Sequence, residues 1–267
     1  MTIVLASIAN NGNALIMASD RMLARAGLTY QFEHDRPKIR ILSHYLIGYA
    51  GTTSYGDDII SHEYKKIGAS TKEFIEEFSA YYVKYGNRIF SRVLLESVGL
   101  TLEVFNKSPN IFPLPLQQKV YDGMGKAKLN VQLIVCGYDG DDPKIYVVSE
   151  FGIFTTAHTV GYAAVGIGEP HVANFYMVNG YRRETPLKEA IYFAYRAKKS
   201  AEIAGGVGQC TDIYIVEKGK PPVSYHDGCQ FIMELNTIYE KHQSKVTEMF
   251  TREVAPDIAK LKLEAAK

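Results

Sequence analysis

Thr2 is the first residue whose type and position suit covalent chemistry. A threonine hydroxyl is a weak nucleophile until a base takes its proton, and a free α-amine on the same residue can be that base. Removal of Met1 would expose this amine, whose reference pKa of about 8 leaves a useful neutral fraction at physiological pH. Threonine is also a common second residue, so its position alone does not distinguish a nucleophile from an ordinary terminus.

Asp20 and Lys38 have side chains that could support such a nucleophile. Asp20 ends an otherwise apolar strand, where its carboxylate would either hold a lysine in place or simply begin a turn. Lys38 begins a strand after Pro37. Its ammonium would lower the proton affinity of a neighbouring group if the two were in contact. The alternative is a lysine in solvent at a strand edge, which is the usual position of this residue type.

The composition argues against several other classes of function. The chain has 30 Lys and Arg against 29 Asp and Glu, a net charge of +1, which implies no general attraction to nucleic acid or to anionic lipid. No stretch of apolar residues is long enough to predict a membrane span. The apolar N-terminus lacks the basic segment of a signal peptide. These features predict a cytoplasmic protein.

The cysteines and histidines give no sign of a cofactor or metal site. The three cysteines are far apart and form no CxxC pair, so neither a zinc site nor a disulfide framework is expected. The seven histidines are dispersed and show no paired-ligand spacing. We therefore expect no cofactor and no metal.

The order of strand and helix signals favours an α+β fold. Apolar runs at residues 3–9 and 14–18 flank an Asn-Asn-Gly-Asn turn, which is typical of a hairpin. A second pair of runs covers residues 38–42 and 45–50. Because later strands and helices also come in blocks, α+β is favoured over an alternating α/β arrangement.

The helical signals complete this organisation. Ser70 and Glu73 form a predicted capping box at the start of a helix that runs to about residue 97. Residues 100–128 hold most of the irregular sequence and are predicted to be a surface insertion. We predict one domain over residues 1–235, with residues 236–267 as a helical C-terminal extension of it.

Several short segments along the chain carry a family resemblance when taken in order. They are Thr2-Ile3-Val4, Ala18-Ser19-Asp20-Arg21, Arg36-Pro37-Lys38-Ile39-Arg40-Ile41, Tyr49-Ala50-Gly51-Thr52-Thr53, Val135-Cys136-Gly137-Tyr138-Asp139, Ala164-Val165-Gly166-Ile167-Gly168, and the block 187–216. The set resembles the 20S proteasome β-subunit and its bacterial two-tier relative, in the N-terminal-nucleophile hydrolase superfamily. The resemblance covers most of residues 2–219 and implies a four-layer αββα sandwich.

The resemblance also implies a function and a set of site residues. Thr2 would be the nucleophile of a threonine peptidase, with Asp20 and Lys38 in contact with it. Gly51 would donate its backbone N–H to the oxyanion, although an ordinary turn glycine is the alternative at this position. The implied partners are a peptide or protein substrate, further copies of the chain in a homo-oligomer, and a regulatory ATPase.

The chain departs from the family pattern in ways that leave two alternatives open. Ile167 stands where the family has a serine, and the spacing from Thr2 to the other site residues is longer than usual. Asp212 and Glu202 are both candidates for a later family carboxylate. One alternative is a peptide ligase that uses the same Thr2 and passes the acyl group to an amine. The other is a catalytically inert, proteasome-like scaffold subunit, for example if Met1 aligns with the family's first residue.

Overall fold

The computed structural model describes residues 2–24, 31–67, 70–96, 99–126 and 128–256. The chain forms two compact units, Met1–Ser224 and Tyr225–Lys267. The predicted domain boundary at residue 235 stays a prediction, because a compact unit is not by itself a domain that folds alone. Within the first unit the described residues form a mixed α/β fold with antiparallel sheets, as the α+β expectation required.

The first sheet has five strands in the order β10-β1-β2-β11-β12. Their bounds are β1 Ile3–Ala9, β2 Ala14–Ser19, β10 Tyr162–Gly166, β11 Asp212–Glu217 and β12 Val223–Tyr225. β1 and β2 are joined by a turn in which Asn10, Asn11 and Gly12 all have positive φ. Asparagine and glycine tolerate that conformation, which explains why this short sequence closes the hairpin.

The second sheet also has five strands, in the order β5-β6-β7-β8-β9, and each neighbouring pair is antiparallel. Their bounds are β5 Ile39–Leu42, β6 Tyr45–Gly51, β7 Val131–Asp139, β8 Asp142–Val148 and β9 Phe154–Thr156. A separate two-stranded ribbon pairs β3, Met22–Ala24, with β4, Gln31–Glu33.

The two five-stranded sheets share a buried apolar cluster. The first sheet contributes Val4 and Met17 to it, and the second contributes Leu46 and Ile134. Gly48 of β6 marks a close approach, since a Cβ there would lie 2.6 Å from Val4 Cγ1 and 2.9 Å from Met17 Sδ. This contact buries one face of β1 and β2, and the helix Leu187–Ala201 contacts the same strands. Cover on both faces explains why β1 and β2 are buried at every position and read as continuous apolar runs.

Seven α-helices are assigned in the described residues. They are α1 Thr53–Ile60, α2 Thr71–Leu94, α3 Leu102–Lys107, α4 Leu114–Lys126, α5 Glu169–Val178, α6 Leu187–Ala201 and α7 Gln230–Met249. α2 begins at the predicted capping box, in which Ser70 and Glu73 cap each other's backbone N–H. α1 and α2 share a second apolar cluster with strands β6, β7 and β8. α6 contacts β1 and β2.

The segment predicted as a surface insertion is largely helical and not irregular, and its status as an insertion stays a prediction. α3 and α4 occupy most of it, and Phe90, Leu95, Phe105 and Val120 form a small core of their own. Pro115 was one of the residues that suggested irregular structure in this segment. It lies in the first turn of α4, where its missing N–H has no intrahelical partner to lose.

The second unit is dominated by α7, which is followed by a π-helical turn at Phe250–Val254. The helix begins at Gln230, earlier than the predicted start of the tail at residue 236. The predicted continuation beyond residue 256 lies outside the described residues.

Candidate active site

The structure brings Thr2, Asp20 and Lys38 together at one end of the β1–β2 hairpin. Thr2 directly precedes β1 and Asp20 directly follows β2, and the register pairs Val4 with Ser19. The antiparallel pairing therefore places Ile3, the first residue of β1, opposite Asp20, the residue after β2. Lys38 enters from the residue before β5. All three residues are almost completely buried.

Lys38 Nζ donates hydrogen bonds to three oxygen atoms. It contacts Asp20 Oδ1 at 2.8 Å, the Met22 carbonyl oxygen at 2.5 Å, and Thr2 Oγ1. An ammonium has three N–H donors, so each has an acceptor in this arrangement. Burial lowers the pKa of Lys38 because the charged form loses its hydration, while the Asp20 carboxylate opposes this shift.

Asp20 uses both carboxylate oxygens. Oδ1 accepts from the Thr2 hydroxyl, from Lys38 and from the Ile3 amide at 3.2 Å. Oδ2 accepts from the Gly208 amide at 2.8 Å. A buried carboxylate with this many donors is held in one orientation. In the resting site its hydrogen bond from Thr2 therefore holds Thr2 Oγ1 next to Lys38.

The loop that carries Gly208 is held by Lys198, a fully buried residue of α6. Lys198 Nζ donates to the carbonyl oxygens of Gly208 and Gln209, each at 2.8 Å, and pairs with Glu202 at 2.6 Å. Glu33 accepts from the Gln209 amide at 2.5 Å on another side of the loop. Asp20 is thus positioned through a chain of contacts that reaches α6.

Asp212, at the start of β11, forms a two-point ion pair with Arg21. Arg21 Nε and Nη2 donate to Asp212 at 2.8 and 2.6 Å, and Asp212 pairs with Ser19 in the sheet. This fork geometry fixes the residue that follows Asp20 in the chain. Glu202, the other candidate for a later family carboxylate, directly follows α6 and accepts hydrogen bonds from Lys198 and Lys199.

Gly51 lies outside this contact set but lines the same cavity as Thr2. The cavity has a volume of about 570 Å³, and Asn130, Gln132 and Ile167 also line it. Gly51 has φ +110°, and a Cβ there would lie 1.9 Å from the Asn130 carbonyl oxygen. Glycine is therefore required at this position for both conformation and space.

Gly166 lies close to the Thr2 backbone and lines the same cavity. It pairs with Ile3 in the sheet, has φ +103°, and leaves only 2.2 Å between an added Cβ and the Thr2 carbonyl oxygen. Its amide donates to Gln132 Oε1 at 3.2 Å. The glycine thus permits close backbone approach at the nucleophile candidate, while its exposed neighbour Ile167 forms part of the cavity wall.

Sequence reasoning missed Lys198 and Gly208 as parts of the site. One feature of the sequence could have indicated that Lys198 is buried. It lies four residues after Ala194 and three before Ala201, on the stripe of small residues through which α6 faces the core. A lysine on such a stripe must find buried acceptors. Gly208 gave no comparable signal, since its role depends on a backbone amide.

Within the described residues, no group of three or more His, Cys, Asp or Glu side chains is arranged to hold a metal ion. Among the helices of that same part of the chain, none has the length and apolar character needed to span a bilayer. The cytoplasmic location and the absence of a nucleic-acid partner stay predictions.

By its fold the chain is similar to solved proteasome-like structures. Anbu (ancestral beta-subunit) from Yersinia bercovieri has a TM-score of 0.64 at 15% identity, covering 99% of this chain and 100% of that one. Anbu from Hyphomicrobium sp. strain MC1 has a TM-score of 0.62 at 12% identity, with coverage of 99% and 100%. A Gly-1 mutant of the Hyphomicrobium protein has a TM-score of 0.61 at 11% identity, covering both chains fully. No protein-family model and no curated protein matches the sequence.

These comparisons correct the family predicted from the sequence. The assignment to the N-terminal-nucleophile hydrolase superfamily as a 20S proteasome β-subunit-like chain is wrong: the structural neighbours are Anbu proteins, a proteasome-like but distinct family. The physical reason lies in the motifs used. Glycine turns and strand ends such as Gly51 and Gly166 are required by the backbone path, so they report the fold and do not separate families that share it.

Proposed function

We propose that Thr2 is the nucleophile of a peptidase that works through an acyl-enzyme. One observation carries this proposal: the Thr2 hydroxyl contacts both Lys38 Nζ and Asp20 Oδ1 in a buried site, and Thr2 also lines a cavity of about 570 Å³. A hydroxyl between a cation and a carboxylate, at the wall of a cavity of ligand size, is the arrangement that nucleophilic catalysis needs.

The reaction begins once Met1 is removed and Thr2 has a free α-amine. Thr2 Oγ1 attacks the substrate carbonyl carbon, and the hydroxyl proton passes to the α-amine. The C–N bond of the peptide then breaks, the leaving amine takes that proton, and an ester to Thr2 remains. Water hydrolyses the ester, which releases the carboxylic acid and restores the Thr2 hydroxyl.

Lys38 and Asp20 act on this nucleophile electrostatically and by position. The Lys38 ammonium favours the developing alkoxide at Thr2, and Asp20 keeps that ammonium in place through the 2.8 Å contact. Gly51 supplies its backbone N–H to the oxyanion, a contribution of roughly 3–4 kcal/mol for one such donor in a comparable site. Its position on the wall of the Thr2 cavity supports this role.

We further propose that the elements stack as a four-layer αββα sandwich. The apolar cluster shared by the two sheets supports the central pair of layers. The contacts of α1 and α2 with the second sheet, and of α6 with the first, support one helical layer on each outer side.

We also propose that the chain forms a homo-oligomer, as expected from the sequence. The likeness to proteins named for a β-subunit supports this expectation. Analytical ultracentrifugation at micromolar concentration tests it, and a monomer over the whole range would contradict it. The regulatory ATPase stays a prediction.

Intact-mass measurement after treatment with a β-lactone tests the proposed nucleophile. The wild-type protein should lack Met1 and gain one adduct, which peptide mapping should locate at Thr2. Thr2→Ala should gain none, while circular dichroism remains unchanged. Thr2→Ser, which keeps the hydroxyl but loses the methyl that restricts χ1, should retain altered labelling.

Two results would overturn the peptidase assignment. Retained Met1 together with no adduct in the wild-type protein would favour an inert scaffold. An adduct at Thr2, with a peptide-bond product formed on addition of an amine and little hydrolysis, would favour a ligase that uses the same residue.

A further inference from the structure

A second cavity adjoins the one at Thr2. It has a volume of about 520 Å³ and lies between α2 and the segments around residues 123, 128 and 150. Most of its wall is apolar, with contributions from Val83, Ile89, Phe90, Val93, Leu94 and Leu129. This size and lining are typical of sites that enclose an apolar group.

Three residues, Lys128, Glu150 and Phe151, line both cavities. The two spaces therefore share a wall. A chain bound at Thr2 needs to extend only across this wall to reach the apolar space.

The wall is built around a turn in an uncommon conformation. Phe151 has φ +63° although it is neither glycine nor asparagine, and its side chain is 51% exposed. Such a conformation in a bulky residue persists only where the surroundings enforce it, and it is frequent at ligand-binding sites. Here Gly152 supplies the restraint, because its carbonyl oxygen accepts a hydrogen bond from Ser79 of α2.

Glu150 connects the wall to the segment beside Gly51. Its carboxylate accepts from the amides of Leu129 and Asn130 at 3.0 and 2.7 Å and from the Tyr82 hydroxyl at 3.3 Å. The Asn130 carbonyl in turn accepts from the Thr52 amide at 2.9 Å. One set of hydrogen bonds thus fixes both the apolar space and the turn proposed to hold the oxyanion.

We propose that this second cavity binds a large apolar side chain, aromatic or long aliphatic, of the peptide that reacts at Thr2. This inference rests on the proposed function and names its substrate class. The bound peptide would pass over Phe151 and the aliphatic part of Lys128, which separate the reacting carbonyl at Thr2 from the second cavity. A peptide with a large apolar residue close to the scissile bond is then the preferred substrate.

Gly86 allows the cavity to be filled from its helical wall. It lies within α2, and a Cβ there would be 3.7 Å from the nearest atom, in Leu129. Gly86→Leu therefore places bulk in the cavity without a backbone clash, and leucine is the better helix former. Ala80→Leu, at an exposed position of the same helix, is the matched control.

The first measurement is kcat/KM for paired blocked peptides with Phe or Ala at one position, on either side of the scissile bond. The wild-type protein and Ala80→Leu should prefer the Phe peptide by at least about 10-fold at one position. Gly86→Leu should bring this ratio close to one. Equal rates for the two peptides at every position in the wild-type protein would overturn the inference and leave the nucleophile assignment intact.

The second measurement does not depend on turnover. Saturation-transfer NMR on Thr2→Ala should detect N-acetyl-phenylalaninamide but not N-acetyl-alaninamide, and adding Gly86→Leu should remove the signal. A signal that survives Gly86→Leu would overturn the inference. If the wild-type protein forms no adduct at Thr2 while the probe binds and Gly86→Leu removes it, the proposed function fails and the cavity remains a site for apolar side chains.

Discussion

The backbone amide of Gly208 donates a hydrogen bond to Asp20 Oδ2 at 2.8 Å, across a sequence separation of 188 residues. This contact orients the Asp20 carboxylate, which accepts a hydrogen bond from the Thr2 hydroxyl. It depends on Lys198, whose ammonium holds the carbonyl oxygens of Gly208 and Gln209. The candidate site is therefore supported from α6 as well as from the hairpin that carries Thr2 and Asp20.

Lys198→Met should slow β-lactone labelling of Thr2 while the fold remains. The substitution leaves the buried Gly208 carbonyl and the part-buried Gln209 carbonyl without this donor, and we expect a loss of about 1–3 kcal/mol in the free energy of unfolding. Urea unfolding and the labelling rate measure the two effects. Lys199→Met is the matched control, since Lys199 also pairs with Glu202 from the same helix. Equal labelling rates for wild type and Lys198→Met would contradict a positioning role.

Lys38→Met should abolish labelling and also destabilise the protein. Removing one partner of a buried ion pair leaves the other charge uncompensated, at a cost of about 3–5 kcal/mol. The double variant Asp20→Asn, Lys38→Met should recover part of that stability but none of the labelling. Recovery of labelling in the double variant would mean that Lys38 serves stability alone.

Gly51→Ala should destabilise the chain more than Gly140→Ala does. Both glycines have positive φ, but an added Cβ meets the Asn130 oxygen at 1.9 Å in the first case and nothing within 4 Å in the second. Gly140→Ala therefore measures the conformational cost alone, about 1–2 kcal/mol. Thermal unfolding of the two variants gives the comparison. Equal losses of stability would show that the turn beside Asn130 can open to admit a side chain.

The stability contribution of Lys38 should increase with pH in the alkaline range. Burial lowers the pKa of Lys38 below its ordinary value of 10.5. Between the lowered pKa and 10.5 the unfolded chain holds more protons than the folded one, so the free energy of unfolding rises with pH. Lys38→Met lacks this rise. Urea unfolding of both proteins at a series of pH values should give a difference that grows across this window. A difference that is flat or falls with pH would contradict the lowered pKa.

The locally determined parts of the fold could be predicted from the sequence. The β1–β2 hairpin follows from Asn10, Asn11 and Gly12, and the start of α2 follows from the Ser70–Glu73 capping box, because these signals act over a few residues. The nearness of Thr2 and Asp20 follows from the same hairpin. Their catalytic roles stay predictions.

Signals that depend on context were misread. Pro115 suggested irregular structure, but it occupies the first turn of α4, where proline is compatible with a helix. The glycine motifs suggested a particular family, but they report the backbone conformation at these positions and do not separate families of similar fold. The buried apolar stripe of α6 was recognised, yet the lysine within it was not.

By itself the sequence determined most strands of the two five-stranded sheets and the hairpin end that carries Thr2 and Asp20, while the role of Thr2 as nucleophile stays a prediction. Only the tertiary structure decided which groups complete the site: Lys198 and Gly208 behind Asp20, and Glu150 with Phe151 between the two cavities. The reason is physical. These contacts join backbone amides and carbonyls to side chains from distant elements, and such pairs form only after the sheets and helices pack, so no local pattern of residue types encodes them.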